Sequence, residues 1–419
     1  MLYLSAIVYL AVIYIRPAEI VPSLEGVPVV DVLSVAIMLI AAAMLFVRRR
    51  CVSISAVDGY VLLFWLTIIL SNAVWGWFGG AYKGLLDFAP VVFCYFLIRL
   101  AVDTPARLRG FVRILIALNV FLAVNGIVQY HTGLGLGNMT TVGLENRIRG
   151  TGIFGDPNDL GMTLVMTTPL LLWVVFDRAC RMWHRAMGLV LLAPILTAIV
   201  YTNSRGAILG LGGALCVFAM RQFKPISALT FGVAALVAVV LLGPARAQAM
   251  DSDESSAQSR IEAWGEGLMM LKSKPIFGVG YGRFTEYHDR VAHNSFVQTA
   301  AELGLVGAGI FVAMFDGLFH ALRGARRASS RPEALPASWI NSVTASAFGM
   351  VICGFFLSRQ YVVVPYIMLA LGASVGTLAP NAARFAVLPP AVESVLRVIV
   401  LTIATTTLVY GMVRTMGAW

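Results

Sequence analysis

Residues 187–202 read MGLVLLAPILTAIVYT and residues 206–220 read GAILGLGGALCVFAM, with only Asn203-Ser204-Arg205 between them. Each run is uncharged and, as a helix, approaches the width of a bilayer. A three-residue polar link leaves no room for a soluble segment, so the pair reads as a transmembrane helical hairpin. Comparable runs recur at 2–15, 29–47, 59–78, 84–101, 112–130, 159–176, 226–243, 294–320, 338–357, 361–378 and 395–413. Hydrophobic residues make up 59% of the chain and charged residues 12%. Only helices or closed barrels satisfy backbone groups in lipid, and runs of this length are helical. The expectation is an all-α polytopic membrane protein of about 12–13 transmembrane helices.

Lysine and arginine set the orientation. Arg48-Arg49-Arg50, then Arg107, Arg109 and Arg113, then Arg178, Arg181 and Arg185 fall at alternate ends of the spans. Arg221 with Lys224, and Arg323, Arg326, Arg327 and Arg331, keep that phase. These clusters are assigned to the cytoplasm together with the N-terminus, which puts the loops at 131–158, 203–205, 244–293 and 358–360 outside. The stretch before Arg16 has no basic n-region and no small-residue cleavage site, so it reads as a retained span. The net charge of +10 follows from this topology and from lipid headgroups, and nucleic acid is not implied. Cys51, Cys94, Cys180, Cys216 and Cys353 avoid the outer loops, so no disulfide framework is indicated. With no repeat and no linker, residues 1–419 read as a single transmembrane domain with one long outer loop, 244–292.

That loop has structure of its own. Ser259-Arg260-Ile261-Glu262 fits a capping box, and Ile261, Trp264, Leu268 and Met269 follow at helical spacing. Lys274-Pro275 should end the helix. It is expected to be amphipathic, lying on the membrane face or lidding a cavity. Gly278-Val279-Gly280-Tyr281-Gly282-Arg283 then forms a turn region leading to Tyr287-His288-Asp289-Arg290 and His293. Its alternating glycines do not make a nucleotide loop, since no strand precedes them. The other large outer loop contains Glu145-Asn146-Arg147-Ile148-Arg149 and ends in Asp156-Pro157-Asn158-Asp159, where Asp156 or Asn158 would cap the next span.

Six arginines fall on the outer side against the positive-inside bias: Arg147, Arg149, Arg205, Arg260, Arg283 and Arg359. Any one of them alone reads as a side chain snorkelling to headgroups. Together they read as an anion site. Arg205, beside Asn203 in the short turn, is tethered and partly desolvated, which suits bidentate contact with phosphate. His293 stands at the outer mouth of a span next to Asn294. The positive end of a helix disfavours protonation there, leaving a neutral imidazole able to accept a proton. His131 and His288 are rival outer histidines, whereas His184 and His320 fall near the cytoplasmic side. Asp156, Asp159, Asp289, Glu145 and Glu262 form no ligand motif, so no metal is expected. A base among stranded cations at a membrane surface points to an enzyme acting on an anionic, lipid-linked substrate.

Three motifs carry a resemblance: Asn203-Ser204-Arg205-Gly206; Arg260-x3-Trp264 leading to Lys274-Pro275-x-Phe277-Gly278-x-Gly280; and Ala292-His293-Asn294-x7-Glu302-x-Gly304-x2-Gly307. In this order around one large outer loop, the chain resembles the O-antigen ligase/polymerase family of bacterial inner-membrane glycosyltransferases. The resemblance implies a GT-C-type fold with a large periplasmic loop. It implies a glycan donor carried on undecaprenyl pyrophosphate, and neither cofactor nor nucleotide sugar. By resemblance His293 activates the acceptor hydroxyl, and Arg205 and Arg260 hold the pyrophosphate. Arg147, Arg149, Arg283 and Arg359 are added to that anion site from topology, with Asn203, Asn294, Trp264 and Tyr281 in support. One base and no carboxylate nucleophile imply inversion. The leading acceptor is lipid A–core oligosaccharide, as in a ligase; the alternatives are a growing glycan (polymerase) or a protein. A transporter is the reading from a different class, and it would show broken helices and charges near the midplane.

Overall fold

The computed structural model describes residues 1–24, 26–48, 53–143, 145–177, 180–227, 230, 254–330, 334–379 and 391–416. Among the described residues thirteen longer helices carry the fold: α1 Leu2–Ile15, α2 Val29–Arg48, α3 Ala56–Ala73, α4 Phe78–Ala101, α5 Pro105–Thr132, α6 Pro157–Phe176, α7 Met182–Tyr201, α8 Arg205–Gln222, α9 Glu254–Ser273, α10 Ser295–Ala328, α11 Ala337–Phe355, α12 Val363–Thr377 and α13 Ala391–Thr415. The described residues form no strand beyond two isolated bridges in the 134–147 loop. The all-helical membrane architecture expected from the apolar runs is what the chain adopts.

Among the described residues nine helices are long and apolar enough to cross a membrane, fewer than the 12–13 expected. The runs at 29–47, 206–220 and 361–378 are helical as α2, α8 and α12. Of these, α12 is short at 15 residues, and α8 is flanked by Arg205 and Arg221. The run at 226–243 lies, apart from its first residues, outside the described residues.

Helix packing follows from where the sequence places small side chains. α8 lies along α11, which also packs on α6, and α6 in turn packs on α7. At Gly210 of α8, a Cβ would come within 2.3 Å of Cys353 Sγ and 3.0 Å of the Gly349 carbonyl oxygen. In lipid, helices gain from such close backbone approach because no hydrophobic force drives them together. On the other side, α10 packs against α3 and α12, and α4 joins α3 and α12. At the end of this half opposite His293, Arg99 of α4 reaches Asp58 of α3 through Nε–Oδ1 at 2.8 Å and Nη2–Oδ2 at 3.1 Å. Tyr95, Ser374, Thr377 and the Ser53 carbonyl complete that cluster.

The outer-loop helix differs from its sequence reading in two ways. α9 begins at Glu254, so Ser259 and Arg260 lie inside it and Ser259 is not a cap. It ends at Ser273, at the Lys274-Pro275 stop. Its buried face is Ile261, Ala263, Trp264, Met270 and Leu271, whereas Met269 is exposed. α9 packs on α10 and α13.

Candidate functional site

The site grows from the junction between α9 and α10. Trp264 of α9 is buried with its ring edge-on to Phe355 at 5.6 Å, and its Nε1 donates to the Ala292 carbonyl at 2.8 Å. Two residues on, Asn294 caps α10: its Oδ1 accepts from Phe296 N at 2.9 Å and Val297 N at 3.2 Å. His293 is therefore fixed on both sides, in a left-handed conformation with φ 48. β-Carbon sterics make that region costly for a residue other than glycine. The cost is met by the two anchors. The Asn294 Nδ2 is buried and has no partner among the described residues.

The turn after α11 forms the second wall. Ser358 Oγ accepts from Asn294 N at 3.2 Å, and Ser295 Oγ accepts from Arg359 N at 2.9 Å while donating to the Leu357 carbonyl at 2.5 Å. These bonds hold Arg359 against the head of α10. Its guanidinium pairs with Asp159 through Nε and with Asp156 Oδ2 through Nη2 at 3.2 Å.

The third wall comes from the 145–159 loop and the α7–α8 turn. Asp156 caps α6, with Oδ1 accepting from Asn158 N at 2.7 Å and from its Nδ2 at 2.8 Å. Asn158 Oδ1 accepts from Arg147 Nη2 at 3.1 Å, and Arg147 Nε donates to the Thr202 carbonyl at 2.9 Å. Thr202 leads into Asn203-Ser204-Arg205, where Ser204 Oγ caps α8 by accepting from Ala207 N. Gly206 abuts Phe356, where an added Cβ would lie 3.0 Å from the Phe356 Cβ. A polar chain thus runs from the turn that carries Arg205 to the turn that carries Arg359 beside His293.

The field at His293 reflects this enclosure. Burial lowers its pKa first, and the charges of Arg260 and Arg359 lower it further, with Arg290 adding to them against the opposing charge of Asp156. The imidazole is held neutral near pH 7, as a proton acceptor needs.

Of the six outer arginines, Arg260 and Arg359 bear directly on His293, and Arg147 and Arg205 belong to the adjoining wall. Arg149 is engaged elsewhere, with Nε donating to the Thr140 carbonyl at 2.8 Å. Arg283 pairs with Glu286 at 2.7 Å and lies over the Trp77 ring, near the start of α4. Tyr281 packs on Tyr361 at 4.8 Å and reaches Asp87 at 3.4 Å. Asn203 binds Glu145 through its side chain. Of the rival outer histidines, His288 is tied to the backbone of Arg290, and His131 sits edge-on to Tyr130 and Tyr201.

Sequence reasoning missed Arg290, the pairing of Asp156 and Asp159 with Arg359, and the role of Glu302. Asp156 and Asp159 are three residues apart at a helix start, a spacing that puts both on one side of the chain and could have flagged them. Buried Glu302 accepts from Tyr361 Oη at 2.8 Å, Gln298 Nε2 at 3.1 Å and Phe284 N at 3.2 Å. Beside it α10 is interrupted at Gly304, with φ 67 and ψ −167. The exposed backbone groups are taken up by the outer loop. Leu305 N donates to the Pro275 carbonyl at 2.8 Å, and Val279 N and Gly280 N donate to the carbonyls of Ala301 and Glu302 at 3.0 and 2.9 Å. No group of three metal-ligating side chains occurs among the described residues.

Fold and site together define a polytopic helical membrane protein with a histidine and several guanidiniums gathered at one end of the bundle. Residues 165–312 match the O-antigen ligase (Wzy_C) family model, so that stretch is similar to the O-antigen ligase family. The match runs from α6 into α10. It takes in Arg205, Arg260, Arg283, His293 and Glu302, and leaves Arg147, Arg149 and Arg359 outside. No curated protein matches the chain.

Proposed function

We propose that this protein is an O-antigen ligase of the bacterial inner membrane, built as a single GT-C-type membrane domain with the 244–292 loop over its periplasmic face. It transfers a glycan from undecaprenyl pyrophosphate to a sugar hydroxyl of lipid A–core oligosaccharide. The observation that carries this reading is the position of His293, held between two anchors with Arg260, Arg290 and Arg359 acting on it. The acceptor oxygen attacks the anomeric carbon as its proton passes to the His293 imidazole. The bond from that carbon to the diphosphate oxygen breaks, and the configuration inverts. The departing diphosphate gains charge as the bond lengthens, so prearranged guanidiniums stabilise the transition state more than the bound donor. Arg205, Arg260 and Arg359 supply that charge, with Arg147 in the adjoining wall, and no metal is needed for it. Arg149 and Arg283, bound to Thr140 and Glu286 and not among the charges that act on His293, are not assigned to the anion site.

A cavity of about 390 Å³ between α10, α11 and α13 supports a lipid-linked donor. Phe296, Val312, Phe315, Phe319, Phe348 and Leu401 line it together with Arg221, Asp316 and Arg323, and it starts three residues beyond His293. Its phenylalanine-rich part suits an isoprenoid chain, and the charged residues mark its other part. The single break in α10 bears on the transporter reading, but it lies toward one end of the helix and its backbone groups bind the loop. Mass spectrometry of lipopolysaccharide from a strain lacking the gene tests the assignment. Bare core is the expected result; core carrying one repeat would make the protein a polymerase, and unchanged lipopolysaccharide would remove both.

A further inference from the structure

Arg359 is the guanidinium closest in sequence to the turn docked on the head of α10, yet it is already occupied. Asp159 takes its Nε and Asp156 takes Nη2, while Nη1 has only the Ser358 carbonyl at 3.3 Å. Two carboxylates around one guanidinium present oxygens much as a diphosphate would. The arrangement is open to exchange, because the side chains of Arg359 and Asp156 are 25% and 42% exposed. Asp156 also keeps two other donors, Asn158 N and Nδ2, so it is not stranded if Arg359 turns away. Asp159, nearly buried, would lose its main partner. That loss favours the return of Arg359 once the anion leaves.

We infer that Asp156 and Asp159 are affinity-setting residues for the donor: they hold Arg359 while the site is empty, yield it to the diphosphate, and reclaim it to help the product depart. This rests on the reading of the site as a diphosphate site. The two acids stand in for the phosphates and lower donor affinity in exchange for faster release. Asparagine keeps the shape at both positions and still caps a helix at 156, so the charge is removed without removing the fold.

The experiment measures binding of unglycosylated undecaprenyl pyrophosphate to the purified full chain in detergent. It compares the wild type, Asp156→Asn, Asp159→Asn, Arg359→Gln and the two double variants. Each asparagine variant should bind about fivefold tighter, the size expected of a partly exposed charge pair, and release the lipid more slowly. In the Arg359→Gln background the same substitutions should change affinity by less than about twofold. If the asparagine variants bind no tighter, or tighten equally without Arg359, the exchange is wrong and the acids act only through the general field or not at all. If the wild type binds no polyprenyl diphosphate, the diphosphate reading of the site falls and takes this inference with it. Binding that Arg359→Gln weakens, with no gain from the asparagines, overturns the inference alone.

Discussion

Two arginine–carboxylate clusters sit at opposite ends of the bundle, and they are built to do different things. At the end away from His293, Arg99 and Asp58 are 3% and 11% exposed, pair through two bonds, and share further partners on Ser53, Tyr95, Ser374 and Thr377. At the other end Arg359 has fewer partners, more water and a neighbouring imidazole. A fully enclosed and fully satisfied pair resists change, since removing one partner strands the other in low dielectric. A half-open pair can trade its partner for a ligand at little cost. Residue type is shared; burial and hydrogen-bond saturation separate the fastening from the site.

The largest expected effect lies at the open end. His293→Ala should lower glycan transfer on the order of 10²–10⁴-fold, the usual span of a general base, while the purified protein stays folded. Transfer near the wild-type rate would take His293 out of the chemistry and leave the two clusters with no functional contrast. Next, Arg99→Ala should cost about 3–5 kcal/mol of stability, against a smaller loss for Arg359→Gln, which leaves Asp159 short of a partner but frees only the solvated Asp156 beside it. Unfolding of both variants in the same detergent measures this, and equal losses would erase the distinction. The smallest effect is on the acid limb of the pH–rate profile. A base at His293 would work in the neutral form, and its lowered pKa keeps that form populated below the usual histidine range. Arg260→Gln removes a charge that lowers this pKa, so the limb should move to higher pH. A limb that stays in place would mean that Arg260 does not act on the titrating group.

Much of the fold was legible because membrane burial writes long apolar runs, and twelve of the thirteen runs can be matched to described helices. The count of long spans was overdrawn where α12 is short and where arginines flank α8, since a hydropathy window does not register a helix end. That His293, Arg260 and Trp264 gather at one junction was legible from their place around one loop, and the cap at Asp156 from its chemistry. The Ser259 capping box failed because a four-residue pattern also occurs inside a helix, and its side chains do not reveal which. The partners of Arg149, Arg283 and Arg359 were invisible for a different reason. Topology gives the side of the membrane but not the lateral position, and a guanidinium engaged with Thr140 or Glu286 looks the same in sequence as one facing a ligand. The Arg99–Asp58 pair joins residues 41 apart on two helices, and nothing local in either segment announces it.

The interruption at Gly304 has a mechanical consequence. Bilayers vary in thickness, and spans answer by tilting. A continuous 34-residue rod from Ser295 to Ala328 would carry any such tilt straight to the imidazole at its tip. The joint at Gly304 divides that rod. A β-carbon at 304 would sit 2.3 Å from the Ile276 carbonyl oxygen, so the joint is reserved for glycine and is clamped by the loop. Segment 295–303, and His293 with it, therefore takes its bearing from residues 275–280 of the loop. The histidine is levelled against the protein's own loop, and a tilt of the rest of α10 is taken up at the joint before it reaches the imidazole.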